Sequence, residues 1–166
     1  MSPSEHQTHG TECCPKFDPL PRDNITHRWE NRLFLVDSIP QLFHFPYPGS
    51  VKKVITRLWK TAQEHSVAPE MKDFLLLSCD PSPWKAEFYL YVTKKAEGLA
   101  TVALTGEYES KVFDGPFFKV PAYIREMEQH LAAKKKTPKK YYFYFTTCPK
   151  CAKKYGHNYI VAFAQV

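Results

Sequence analysis

An amphipathic helical face that occurs twice constrains this chain more than any other feature. Val51, Val54, Ile55, Leu58 and Ala62 fall at i, i+3, i+4, i+7 and i+11, lining one side of a helix. Val120, Tyr123, Ile124, Met127 and Leu131 repeat that spacing about 69 residues later. The same shift carries Phe74 onto Phe143 and Cys79 onto Cys148. A duplicated strand–helix–strand–strand unit accounts for this register. Its two halves would meet along a seam, a place where small-molecule pockets form. The expected fold class is α+β, with duplicated β-α-β-β units forming an antiparallel sheet of about eight strands and two helices on one face.

With 166 residues the chain can bury one good core but not those of two ordinary domains. The expected division is a disordered N-terminus over 1–12, an extended proline-rich arm over 13–32 and a single domain over 33–166. The half-repeats of that domain run from about 33–99 and 100–166. Phe17 and Trp29 are the anchors expected to hold the arm down. No stretch approaches the roughly 20 apolar residues of a membrane span. The opening MSPSEHQTHGTECCP has no apolar signal region. The expectation is a cytoplasmic protein, monomer or homodimer, with no membrane partner. In that compartment its cysteines are thiols or metal ligands rather than disulfides.

Local patterns place the elements. Strands are expected at 33–36 and 41–45, then a helix over 51–65 with Ser50 as its N-cap. Strands follow at 73–79, 85–93, 100–104 and 108–113, with Gly106 a bend. The second helix spans 120–133, and the last hairpin pairs 140–147 with 158–166. Its connection, 148–157, is longer than a turn requires, and such loops tend to have a second role.

The net charge of +6 is local. Lys134, Lys135, Lys136, Lys139 and Lys140 cluster where the second helix gives way to a strand. Lysines are favourable there because a helix C-terminus is the negative end of its dipole. A solvated helix end therefore explains the cluster better than a nucleic-acid platform, which would interleave basic and exposed aromatic residues.

Two groups of residues carry candidate chemistry. Cys148-Pro-Lys-Cys151 has the form of a zinc knuckle, and Cys13 and Cys14 supply two more thiolates for a tetrahedral structural Zn²⁺. His157, His9 or Cys79 are substitutes for one of them. Thioredoxin-type chemistry is disfavoured, because CPKC is expected to join two strands without opening a helix.

The second group is a sheet face. Lys85, Glu87, Tyr89 and Tyr91 alternate with Ala86, Phe88, Leu90 and Val92, so one face is core and the other polar-aromatic. A carboxylate among aromatic walls suits a flat, hydrophobic or cationic ligand, or a general acid or base. Glu87 is the first candidate for the catalytic carboxylate, with Glu107 and Glu109 as the next candidates. The candidate ligand contacts are His44, Phe45, Tyr47, Trp84, Tyr89, Tyr108, Tyr141 and Phe143. The competing explanation is cross-strand packing, with His44 and His130 satisfied core histidines. Cys79 has no base partner in the sequence.

The run VFDGPFFKVPAYIREMEQHL, residues 112–131, together with the duplicated layout, resembles the gyrase-inhibitor-like (GyrI-like, SHS2 module) effector-binding domain. The chain also resembles a subgroup of small bacterial proteins labelled hydrolases. The shared motifs are CCPKFDP (Cys13 to Pro19), FHFP (Phe43 to Pro46), DPSPWK (Asp80 to Lys85) and TTCPKCAKKYG (Thr146 to Gly156) followed by Asn158-Tyr159. The tryptophan usual after the first of these motifs is absent, because Arg22 follows Pro21. The resemblance implies a small-molecule-binding fold whose members include hydrolases of strained cyclopropane toxins and non-catalytic drug sensors. A hydrophobic or aromatic xenobiotic bound between the repeats is the implied ligand. The alternatives are a sensor or sequestering module, or a zinc-stabilised interaction protein with an acidic partner.

Overall fold

A computed structural model describes Cys14 and residues 16–166. The expectations for 1–12 and for Cys13 fall outside the described residues.

β1 (Ile25–Leu42) is one long strand, beginning well before Leu33; it takes in the strand expected at 33–36, while the one expected at 41–45 is broken by a turn at Phe43-His44. It pairs with β5 (Thr101–Asp114) from Ile25 to Trp29, slips at Glu30-Asn31, and pairs again from Arg32 to Leu35. Asn31 takes up the extra length at φ 48°, a left-handed conformation that asparagine tolerates better than most residues. His27 and Trp29 therefore belong to the sheet, and Trp29 is buried in its core. Beyond the bulge, Phe34 to Pro40 pair with β4 (Lys85–Tyr91). β2 (Phe45–Pro46) folds back on Gln41 and Leu42.

β3 (Leu76–Ser82), β6 (Lys140–Phe145) and β7 (Tyr159–Gln165) complete the sheet. Its order is β2-β1-β4-β3-β6-β7-β5, and β5 returns to β1. The antiparallel sheet thus closes into a barrel. β5 runs unbroken through Gly106, where two strands were expected. The bend is real, at φ 138°, but the ladder continues on both sides of it. The barrel is thinnest between β3 and β6, which share one bridging pair, Ser78 with Phe143.

α1 (Ser50–Glu64) and α2 (Val120–Ala133) lie on the outside of the barrel. Val54, Leu58 and Ala62 pack on Leu35, Ile39, Ala86, Phe88 and Leu90. Tyr123 packs on Phe113 and Ile160, and Met127 and Leu131 on Ala164. Each large apolar side chain buried this way contributes about 1.5–3 kcal/mol. The face opposite the helices is the barrel interior. Gly49, left-handed at φ 78°, is the residue that caps α1, while the Ser50 hydroxyl donates to the Tyr47 carbonyl at 2.6 Å.

The connection 148–157 holds a third helix, α3 (Pro149–Tyr155), where a loop was expected. Pro149 starts it at a position that needs no N–H, and Gly156 stops it at φ 72°. The lysines after α2 are also more than a solvated end. Lys134 and Lys136 both donate to the fully buried Glu109, at 2.8 and 2.5 Å, and Lys136 also reaches Glu107. No helix among the described residues is long and apolar enough to cross a membrane.

Candidate functional site

The barrel interior is aromatic. Trp29 stacks on Tyr108 with ring centroids 4.2 Å apart, and Phe34, Tyr89, Tyr142 and Phe163 surround the pair. Tyr142 meets Tyr89 edge-on at 5.4 Å. The hydroxyl of Tyr108 is buried with no hydrogen-bond partner. On β6, Tyr142 and Tyr144 pack with this interior. Tyr141 and Phe143, expected to contact ligand, pack instead with the α2 side of the sheet. Both parities of that strand are aromatic, so alternation alone could not choose; pairing with β7 does.

Glu87 stands at one end of this interior. The alternation of β4 holds, with Ala86, Phe88 and Leu90 under α1 and Tyr89 in the barrel core. Tyr89 donates its hydroxyl to Glu87 Oε2 at 2.5 Å, and Lys85 Nζ lies 3.6 Å from Oε1. Cys79 is in register with Glu87 on β3. Lys140 Nζ sits 5.0 Å from the Tyr142 ring centroid and 5.8 Å from that of Tyr89. Lys140 was not foreseen as part of this group, although its i, i+2 relation to Tyr142 would have placed it there.

Burial, and then the bond to Glu87, push the Tyr89 hydroxyl far above its usual range. Burial pushes Tyr142 and Tyr108 up to about 12. It also raises the Cys79 thiol, against the opposing pull of Lys140. Near neutrality these groups are protonated, and Tyr89 among them donates to the Glu87 carboxylate. Such a set can orient a water, accept its proton and stabilise a cation or a developing charge.

The remaining expected contacts rim the same end. Gln41 of β1 bonds through its side chain to the carbonyls of Ser82 and Lys85, tying the β1–β2 turn to the β3–β4 turn. Trp84 is half exposed and packs on Phe43 at 4.9 Å; Phe45 and Tyr47 are exposed. His44 is exposed as well, with Nδ1 3.0 Å from Asp80 Oδ2, and so is no core histidine. Glu107 and Glu109, the next carboxylate candidates, are bonded to Lys134 and Lys136 just beyond α2.

A second group lies at the opposite end. The Sγ atoms of Cys14, Cys148 and Cys151 fall within 4.8 Å of one another. The Cys148 N–H donates to Cys14 Sγ at 3.4 Å, and the Tyr155 hydroxyl donates to the Cys14 carbonyl at 2.5 Å. Phe17 anchors the arm between Tyr144 and Tyr159. CPKC does open a helix after a strand, since Cys148 is the N-cap of α3 and Cys151 lies in its first turn. The ground for setting redox chemistry aside is thereby removed. His157 is 2.7 Å from Asp114 and outside the three-thiol group, and Cys79 belongs to the barrel. The donor set is sulfur-rich and suits a soft or borderline metal.

A cleft of about 470 Å³ opens apart from Glu87, between the β1 bulge and the end of β4. Arg32 lies along it, a residue the sequence had not marked.

The family described as bacterial hydrolase matches the chain over residues 4–166. A hydrolase from Listeria innocua has a similar structure, with a TM-score of 0.60 and 13% identity over 87% of this chain and 92% of that one. An uncharacterized conserved protein from Listeria innocua gives a TM-score of 0.60 and 12% identity, over 87% and 93% of the two chains. At such identities the likeness is one of fold. No curated protein matches the sequence.

Proposed function

This chain belongs to the bacterial hydrolase family, and on that premise we propose that it hydrolyses a small hydrophobic or aromatic molecule at the Glu87 end of the barrel. The observation that carries this reading is the Glu87 carboxylate, fixed by the Tyr89 hydroxyl at 2.5 Å where an aromatic interior meets solvent. Oε1 accepts a proton from a water as the water oxygen bonds to the electrophilic carbon of the substrate. The bond to the leaving group breaks, and its developing negative charge is met by the Lys85 ammonium, 3.6 Å from Oε1. Trp84 and Phe43 form an apolar rim over which a flat substrate enters.

The element order supports a duplicated, GyrI-like architecture. The run β1-α1-β3-β4 is followed by β5-α2-β6-β7, with β2 and α3 as insertions. In that reading Glu87, Cys79 and Tyr142 face one of the two seams between halves, β3 against β6. The test is hydrolysis of a panel of aromatic esters, amides and epoxides by the wild type and by Glu87→Gln. Turnover lost in the variant supports the reading. Saturable binding without turnover in either protein would leave a sensor or sequestering module.

The cysteine group carries a separate part of the proposal. Cys14, Cys148 and Cys151, with Cys13 as the fourth thiolate, hold a structural Zn²⁺ that ties the N-terminal arm to α3. The Cys148 N–H directed at Cys14 Sγ supports it, because a backbone amide on a metal-bound thiolate stabilises its charge.

A further inference from the structure

Three nitrogen-bearing side chains share the end of the barrel away from Glu87. The Arg32 guanidinium lies between two aromatic faces, 5.1 Å from the ring centroid of Trp29 and 4.5 Å from that of Tyr91. Its Nε is buried with no hydrogen-bond partner. Arg22 lies over Tyr144 at 5.5 Å. His27 Nε2 is 2.7 Å from Ser110 Oγ. Among the described residues no carboxylate accepts a hydrogen bond from either guanidinium.

The groups feel one another. Burial first, and then Arg22 and Arg32, lower the pKa of His27. Burial lowers that of Arg32, with Arg22 adding to the effect against Tyr91 and Asp73. Asp73 and Glu30 stand exposed on the cleft wall, and neither is bonded to Arg32. A guanidinium stays charged at any ordinary pH, and withdrawing it from water without a counter-ion is costly. Arg32, half-buried and with no carboxylate bonded to it, is the group on this cleft whose charge a bound anion would satisfy.

The space beside Arg32 has the size for one. The cleft of about 470 Å³ is lined by Leu33, Val92, Tyr91 and Trp29 along with Arg28 and Arg32, within the range of small-molecule sites. The bulge at Asn31 opens it, by carrying the first half of β1 away from β4 to pair with β5 alone.

We infer that this cleft binds a planar aromatic carboxylate, whose oxygens take the paired donors of Arg32 while its ring lies along Tyr91, Leu33 and Val92. The flat fork of arginine matches a carboxylate, and the two rings hold that fork in place before binding. The site is separate from Glu87 and does not depend on the hydrolytic reading.

Calorimetric titration of the full chain with 2-naphthoate tests it, with 2-naphthamide as a neutral isostere and inorganic phosphate as an anion without a ring. The expected result is saturable naphthoate binding, with the amide and phosphate weaker by about tenfold or more. Arg32→Met should lower naphthoate affinity by about tenfold or more. Arg32→Lys should lose most of the same affinity, because it keeps the charge but not the fork. Glu87→Gln should bind as the wild type does. The melting temperature of ligand-free Arg32→Met should be unchanged or higher, since an uncompensated charge has gone. Absence of naphthoate binding to the wild type would overturn the proposal, as would equal binding of the amide or of phosphate. Undiminished affinity in Arg32→Met would do the same. Should Arg32→Met fail to fold, full affinity in Arg32→Lys would count against the fork.

Discussion

Tyr89 and Glu87 sit two residues apart on β4, facing the same way, and the tyrosine hydroxyl donates to the carboxylate at 2.5 Å. Strand alternation alone puts both on one face. The enclosure of that face by the barrel turns an ordinary i, i+2 pair into a carboxylate held at the edge of an aromatic interior. Glu87→Gln should cut kcat/KM by about 100-fold or more, the usual worth of a general acid or base. Tyr89→Phe keeps the ring and frees Oε2, and should lower kcat by about tenfold with KM little changed. Steady-state rates on whichever panel substrate turns over would decide. Equal rates for wild type and Glu87→Gln would remove Glu87 from the chemistry.

Glu109 makes the protein sensitive to acid. Burial pushes its carboxyl up, but hydrogen bonds from Lys134, Lys136 and Thr26 outweigh that and bring it down to about 2, from an ordinary 4.5. A carboxyl lowered on folding stabilises fully above its unfolded pKa, and that contribution drains away as pH falls from about 4.5 to about 2. Glu109→Gln should therefore be less stable than wild type near neutrality, by about 1.5–3 kcal/mol for the lost charged hydrogen bonds. Urea titrations across this range should show the two curves converging at the acid end. A constant offset would mean that the loss is one of packing.

Metal content tests the arm. Protein purified without chelator should carry one zinc per chain, and Cys148→Ser or Cys151→Ser should lose it. Removal of the metal should lower the melting temperature by about 5 °C or more, because the site joins the arm to a short helix with little core of its own. Loss of zinc with no change in melting would make the metal incidental.

Gly115 leaves no room for a side chain. A Cβ there would overlap the Tyr123 hydroxyl, which donates to the Pro116 carbonyl at 3.2 Å. Gly115→Ala should destabilise by about 1–3 kcal/mol through this overlap. Adding Tyr123→Phe should recover part of the loss, as read from denaturant midpoints. No recovery would place the strain in the backbone.

Much of this was legible in the chain because the relevant patterns are local. The i, i+3, i+4, i+7 stripes of Val54, Leu58 and Ala62 and of Tyr123, Met127 and Leu131 predicted α1 and α2, and these residues are the buried ones. The two-residue period of β4 separated Glu87 and Tyr89 from Phe88 and Leu90. CPKC marked its own tight geometry. β6 resisted the same logic, since Tyr141 to Phe145 are aromatic on both faces and only the ladder with β7 turns Tyr142 inward.

What the sequence determined by itself, then, was that α1 and α2 are helices, which face of β4 is apolar, and which thiols could meet. The tertiary structure decided that the sheet closes, with β5 returning to β1. It decided that Glu109 pairs with Lys134 and Lys136, and that Arg32 lies between Trp29 and Tyr91. It also brought Cys14 to Cys148, 134 residues away. The reason is physical. Helical and strand periods are set by neighbours a few residues apart, whereas closure, ion pairing and thiol clustering depend on contacts between distant segments that no local pattern encodes.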